Sequence, residues 1–410
     1  MLKKRLCHSI LPAALLSLAV GQIYAFTLIV HHVVDKFQVP HASVQFIFSL
    51  AIFFLGMSAA FFGKLVEQNI RASTILGTVL FLGGMCLSQL AINLGSLILL
   101  YLGYGVMVGI GTGITYISPV KTMMLWFPKR RGLASAVPII SFGLGSSLFT
   151  LIHTWLSNYM PTLEMFSVVN CIYAVMMVSG IVLLRKPTEE ELRELNRQTE
   201  EKEHPVLKDN PIHSRAKLEI REVLKTSMFW KLWLFMFLNI AAGLCIIPLA
   251  KQIMESCKLE MGIITAVLVG TGIMNGLGRY IYASCSDKLS SRVTILLFIS
   301  GTALISSLIG SYTAMAVAVA ILILSSCYGA CFSVLPAIVY EYFGSASAST
   351  IHGLLLSAWG VAGLIGNQVG LACFSNYGVN GLILLLIVVH SINYLNADSI
   401  VNLTKAKKKI

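Results

Sequence analysis

The sequence predicts an all-α membrane protein, with twelve transmembrane helices in two pseudo-symmetric six-helix bundles. Three observations carry this: apolar stretches of bilayer-spanning length, a one-sided distribution of Lys and Arg, and a nearly constant offset between matching positions in the two halves. Over 410 residues the chain is 56% hydrophobic and 12% charged. Its mean hydropathy of +0.81 lies far outside the soluble globular range.

A helical span needs about 20 apolar residues. Twelve such stretches occur, at 9–32, 43–63, 73–92, 96–126, 133–156, 165–184, 228–251, 261–283, 293–311, 314–340, 350–374 and 379–400. The connections between them test the count, because a wrong number of spans would scramble the basic residues across the two sides. With the amino terminus inside, 25 of the 30 basic residues share one face. Lys3, Lys4 and Arg5 precede the first span, Lys64 and Arg71 follow the second, and Lys129, Arg130 and Arg131 follow the fourth. Eleven lie between Arg185 and Lys231, Lys288 and Arg292 follow the eighth span, and four lie between Lys405 and Lys409. Lys36, Lys251 and Lys258 fall outside, while Lys121 and Arg279 fall within spans. The net charge of +12 therefore reports orientation in a bilayer, with no aromatic-interleaved patch to suggest nucleic acid.

The basic start and apolar run do not read as a cleaved leader, since the run continues through Gln22 and Tyr24 without a small-x-small site. The nine cysteines are scattered, with no CxxC pair, and read as small packing residues. The longest polar interruption sets expected boundaries of 1–185 for a first bundle, 186–227 for a cytoplasmic linker and 228–410 for a second bundle. Within the linker, 188–203 is rich in Glu, Arg and Lys and reads as a solvated tether. The halves echo each other: Glu67 and Asp287 are 220 residues apart, Pro119 and Pro336 are 217 apart, and Gly132 and Gly353 are 221 apart. A nearly constant offset argues for duplication of a six-helix unit, an arrangement that in transporters puts the substrate between the halves near the bilayer midplane.

Arg279 is the lone charge in the apolar run 262–282. An ionised group there costs at least ~2.5 to 3.5 kcal/mol, so it needs a cavity, a partner or a ligand. Asn275 lies one helical turn earlier on the same face. The embedded Lys121 reads either as snorkelling to the inner surface or as a second cavity cation. Buried acids are lacking, since Glu164, Glu260, Glu341 and Asp398 fall at span ends, and the histidines are poor coupling candidates. Gly109, Gly111 and Gly113 sit in an apolar helix with no preceding strand, which argues against a phosphate loop. Gly105, Gly109 and Gly113 instead have the four-residue spacing of close helix contacts, as do Gly366 and Gly370. Pro119, Pro138, Pro248 and Pro336 read as kinks. No nucleophile elbow, metal pair or paired carboxylates suggests an enzyme, and no cofactor is expected.

Between spans two and three stands Gly63-Lys64-Leu65-Val66-Glu67-Gln68-Asn69-Ile70-Arg71, and after span eight Ser286-Asp287-Lys288 ending at Arg292. These resemble the gating signature of the major facilitator superfamily, with Glu for Asp in the first copy and lost glycines in both. The resemblance implies that Gly63, Glu67, Arg71, Asp287, Lys288 and Arg292 form a cytoplasmic latch.

A narrower resemblance rests on Gly21-Gln22-Ile23-Tyr24-Ala25-Phe26, on Tyr116 with Trp126-Phe127-Pro128-Lys129, and on Met228-Phe229-Trp230. It extends through Asn275-Gly276-Leu277-Gly278-Arg279 and through Tyr328 with Phe332 and Pro336. In this order the pieces are similar to the oxalate/formate antiporter group of bacterial monocarboxylate carriers. That resemblance implies a secondary carrier in the bacterial inner membrane, expected as a monomer with both termini cytoplasmic, moving lactate, pyruvate or formate by alternating access. It implies that Arg279 binds the carboxylate, with Asn275, Tyr24, Tyr116, Tyr328 and Phe332 around it. Trp359 stands where the oxalate-specific carrier has a lysine, which favours a monocarboxylate unless Lys121 supplies the second cation of an oxalate-type exchange. Proton co-transport and anion exchange both stay open, and a non-transporting sensor of the same fold is a further alternative.

Overall fold

A chain this apolar must satisfy its backbone groups internally when it crosses lipid, and helices do so within one segment. The computed structural model describes residues 2–127, 131–191, 193–194 and 220–408, excepting the side chains at 2–3, 27, 64, 67, 131–136, 162–163, 345–349 and 407–408. Among the described residues, eleven helices are long and apolar enough to span. They are α1 (Leu6–Phe26), α2 (His41–Phe61), α3 (Ile70–Leu94), α4 (Leu97–Trp126), α5 (Val137–Leu156) and α6 (Glu164–Leu183). Then follow α7 (Ser227–Ile246), α8 (Met261–Ser286), α9 (Arg292–Ile309), α10 (Ala314–Phe343) and a final helix, Thr350–Ala406. At 1.5 Å per residue that last helix would measure about 85 Å, nearly three bilayer cores. Gly378, at φ 65° and ψ −160°, breaks it into α11 (350–377) and α12 (379–406). The left-handed φ suits glycine, and the break completes the twelve spans.

Two ends differ from the sequence expectation. The first span does not run on to His32: α1 tightens into a 3₁₀ turn over Gln22–Leu28, and a separate helix, Val30–Phe37, follows. The seventh ends at Ile246 rather than 251, because Pro248 cannot donate to a continuing helix, and a short helix, Ala250–Ser256, resumes beyond it. Pro119, Pro138 and Pro336 lie inside their helices as expected.

Small residues set how closely the spans approach. A Cβ on Gly109 would lie 2.6 Å from the Ala51 carbonyl oxygen, so the glycine spacing in α4 is the seat of α2. The same device joins the first six spans to the last six. A Cβ on Gly143 would meet the Gly276 backbone nitrogen at 2.9 Å, and one on Gly56 would meet the Gly360 Cα at 2.6 Å. Thus α5 rests on α8 and α2 on α11, backbone against backbone.

The start of the linker is anchored rather than a solvated tether. Thr188 and Glu191 form a reciprocal cap: the Thr188 N–H donates to Glu191 Oε2 (2.9 Å) and the Glu191 N–H donates to Thr188 Oγ1 (3.3 Å). Arg185 donates from both terminal nitrogens to the same carboxylate (2.8 and 2.9 Å), and Lys4 lies 3.1 Å away. The Arg185 guanidinium also stacks over Trp126, whose indole donates to the Arg185 carbonyl (2.8 Å). Residue 192 and the segment 195–219, the rest of the predicted tether, lie outside the described residues.

Hydrogen bonds from Arg185 hold the Glu191 carboxyl well below the usual carboxylate range. A depressed folded value contributes stability above the ordinary glutamate pKa, lost as pH falls through the folded value. Glu191→Gln is therefore expected to free residues 186–191 at neutral pH, read as faster backbone hydrogen exchange, whereas the wild-type segment loosens only in strong acid. Gly56→Ala is expected to force α2 and α11 apart and destabilise the fold by about 1 to 3 kcal/mol, read as a lower unfolding temperature in detergent.

Candidate functional site

Helix α8 shows lipid one face and the protein another. Ile273, Leu277 and Tyr280 are exposed, while Asn275 and Arg279 are buried, as a 3.6-residue period requires. Side chains on a helix lean toward its amino terminus, so the long Arg279 side chain folds back onto Asn275. Its Nε donates to Asn275 Oδ1 (3.0 Å), and Nη1 donates across to the Ile139 carbonyl of α5 (3.0 Å). Arg279 is 1% exposed, so it does not snorkel to the cytoplasm. Its Nη2 is buried and makes no hydrogen bond of good geometry, although the Tyr116 hydroxyl interacts with the guanidinium, and among the described residues no carboxylate lies within ion-pair distance.

Aromatic rings cover the guanidinium. Its carbon lies 4.8 Å from the centre of the Phe332 ring and 5.6 Å from that of Phe142, both within cation–π range. Trp359 packs edge-on to Phe332 (4.5 Å), Tyr116 (5.7 Å) and Phe142 (6.0 Å). A polar relay runs through the rings: the Trp359 indole donates to the Tyr328 hydroxyl (3.1 Å), which shares a hydrogen bond of 2.6 Å with the Tyr24 hydroxyl. Tyr24 on α1 therefore meets Tyr328 on α10, directly beside the cation. Arg279, Asn275, Tyr24, Tyr116, Tyr328 and Phe332 thus form one buried cluster.

Lys121 is held elsewhere. Its ammonium donates to the Gly63 carbonyl at the inner end of α2 (3.4 Å) and is only half-buried. Of the other residues of the expected latch, Asp287 and Arg292 of the second copy make the described contacts. Asp287 pairs with Arg292 (3.1 Å), which also reaches Glu341 at the end of α10 (3.8 Å). Lys288 and Arg71 are exposed, and the Glu67 side chain lies outside those described.

The cluster is closed on its outer side. Outward of it, Asn367 donates to the Gln45 carbonyl and to Ser49 (2.9 Å each), and Ser147 donates to the Val269 carbonyl (2.6 Å). At the outer surface Gln252 hydrogen-bonds His41 (2.6 Å). Level with Asn275, between Arg279 and the Ser147–Val269 bond, the Gly143–Gly276 contact brings α5 against α8. The remaining space is a cavity of about 20 Å³ on the outer side of Asn275, roughly the room one water needs. Reasoning from the sequence missed Phe142 and the Ile139 carbonyl. A backbone acceptor has no side-chain signature, and the signal for Phe142 was its neighbour Gly143, which marks where α5 touches another span.

Comparisons with known proteins agree with this architecture. Residues 10–367 match the Major Facilitator Superfamily. The chain is 27% identical over 351 residues to YhjX, an uncharacterised MFS-type transporter of Escherichia coli, covering 84% of this chain and 83% of that one. It is 24% identical over 405 residues to the oxalate:formate antiporter of Oxalobacter formigenes, covering 98% and 92%. Among solved structures, it superposes on the xylose transporter XylE from E. coli, in a partially occluded inward-open conformation, with a TM-score of 0.67 at 13% identity over 95% of each chain. A family match over most of its length, on a twelve-span helical fold, establishes that this chain belongs to the major facilitator superfamily of membrane transporters.

Proposed function

We propose that this transporter carries a small monocarboxylate across the bilayer by alternating access, with Arg279 as the carboxylate-binding residue. The observation that carries the reading is the buried guanidinium with one unanswered terminal nitrogen and no described acid in reach. A cation without a counter-charge is unstable at membrane depth, and an anion entering that low-dielectric space is held strongly. The planar fork of arginine matches both oxygens of a carboxylate. Substrate oxygens at Nη2 and Nε would displace Asn275 Oδ1 and release its amide to the substrate's neighbouring polar group.

Tyr24, Tyr116, Tyr328 and Phe332 would exclude water and bound the size of the cargo. The similarity to an oxalate:formate antiporter supports a small carboxylate as cargo. A single charge is favoured over a dicarboxylate, because Lys121 is engaged at the inner end of α2 and the side chain facing the cluster from α11 is the neutral Trp359. In the transport cycle, 1–185 and 228–410 would rock about the Arg279 site as two bundles, joined by 186–227 on the cytoplasmic side. The one-sided Lys and Arg distribution supports both termini being cytoplasmic, and the similarity to bacterial carriers supports a bacterial inner membrane.

Arg279→Ala is expected to abolish uptake of labelled lactate, pyruvate and formate into proteoliposomes while the protein remains monodisperse in detergent. Arg279→Lys keeps the charge and loses the fork, and should weaken affinity at least tenfold, about one charge-assisted hydrogen bond. Normal uptake by the alanine variant would refute the assignment.

A further inference from the structure

The cavity beside Asn275 has walls of two kinds. Ser146 and Thr150 of α5 and Thr271 of α8 form one, and Leu28, Ile247 and Leu268 form the other. Asn275 and Tyr24 belong both to this cavity and to the Arg279 cluster, so the two spaces adjoin. The side chain of Thr271 lies one turn before Asn275 on the same face of α8. Gly272 beside it brings α5 in close, since a Cβ there would stand 2.9 Å from the Gly143 carbonyl oxygen. That approach puts the Ser146 hydroxyl at the cavity.

The direction of these hydroxyls matters. Thr271 Oγ1 donates to the Leu268 carbonyl (2.7 Å) and Ser146 Oγ donates to the Gly143 carbonyl (3.2 Å). Each proton is committed within its own helix, leaving the oxygen lone pairs as acceptors. Acceptors suit a ligand group that can donate.

Building on the carboxylate reading of Arg279, we infer that this cavity is a hydroxyl-recognition subsite that selects 2-hydroxy monocarboxylates over their 2-oxo and unsubstituted counterparts. A 2-hydroxyl can accept from the Asn275 amide and donate to Thr271 or Ser146. A 2-oxo group can only accept, and a plain methylene does neither. The leucine and isoleucine wall is apolar, as a short alkyl end requires, and its flexible side chains must give way to admit one. Among the described residues no cation lines the cavity, so a second carboxylate would find no counter-charge there.

The test is equilibrium binding of L-lactate, pyruvate and propionate to the purified full-length protein. Lactate is expected to bind about five- to tenfold more tightly than propionate, with pyruvate between, the range of one hydrogen bond. Combining Thr271→Val with Ser146→Ala should bring lactate to the propionate level and leave propionate unchanged, while Thr271→Ser alone should retain the preference. Equal binding of lactate and propionate, pyruvate binding tightest, or a preference that survives the double substitution would each overturn the subsite. If all three bind alike and Arg279→Ala abolishes them, the carboxylate site stands and the subsite alone falls. If none binds, both fall.

Discussion

The centre of this protein is organised by the cost of holding one guanidinium away from water. Arg279 has no acid to neutralise it among the described residues, and the surroundings compensate in pieces. They supply an amide oxygen from its own helix, a backbone carbonyl from α5, and the faces of two aromatic rings. Each is a partial negative charge, and none is a full one. The cation is tolerated in the closed state but not saturated, a condition in which an entering anion gains strongly.

That compensation is distributed across the molecule, which couples the charge to the packing of the spans. The Ile139 carbonyl and Phe142 come from α5, Phe332 from α10, and the ring contacts extend through Trp359 to α11 and Tyr116 to α4. Sliding α5 against α8 would change the number of acceptors that Arg279 sees. At two points the seam is glycine against glycine, at Gly143 and Gly276 and at Gly56 and Gly360, so sliding there is resisted mainly by the hydrogen bonds that cross it from Asn367, Ser147 and Tyr24. Smooth backbone surfaces carry few interlocking side chains, so a rocking motion there breaks few of the contacts that larger residues would impose.

How much of this was legible in the sequence depended on whether a feature has a period. The spans, the Gly105, Gly109 and Gly113 stripe, and the shared face of Asn275 and Arg279 all follow from helical geometry and were readable. The environment of Arg279 was readable only in part, because a backbone acceptor such as Ile139 could be any residue and an aromatic partner such as Phe142 is one of 20 phenylalanines. Lys121 was ambiguous for a different reason. A flexible four-carbon stem can carry its charge toward either end of a helix, and only the tertiary neighbour, the Gly63 carbonyl, distinguishes the two directions. The anchored start of the linker was hidden because Glu191 looks like any solvated glutamate until Arg185, Lys4 and Thr188 converge on it.

The same partial compensation bears on how transport is coupled. Were Arg279 wholly bare, the unloaded carrier would pay the full desolvation penalty on closing and could reset only with an anion bound, which enforces exchange. Were it paired with a permanent acid, the loaded and unloaded forms would close equally well and substrate would bind weakly. With Nε and Nη1 hydrogen-bonded and Nη2 not, the protein lies between these limits. On the carboxylate reading, closure is easier when loaded and still accessible when unloaded, so exchange should outpace net transport without being obligatory. The ratio of the two rates would then be set by the Asn275 and Ile139 acceptors, because these stabilise the cation when no carboxylate does.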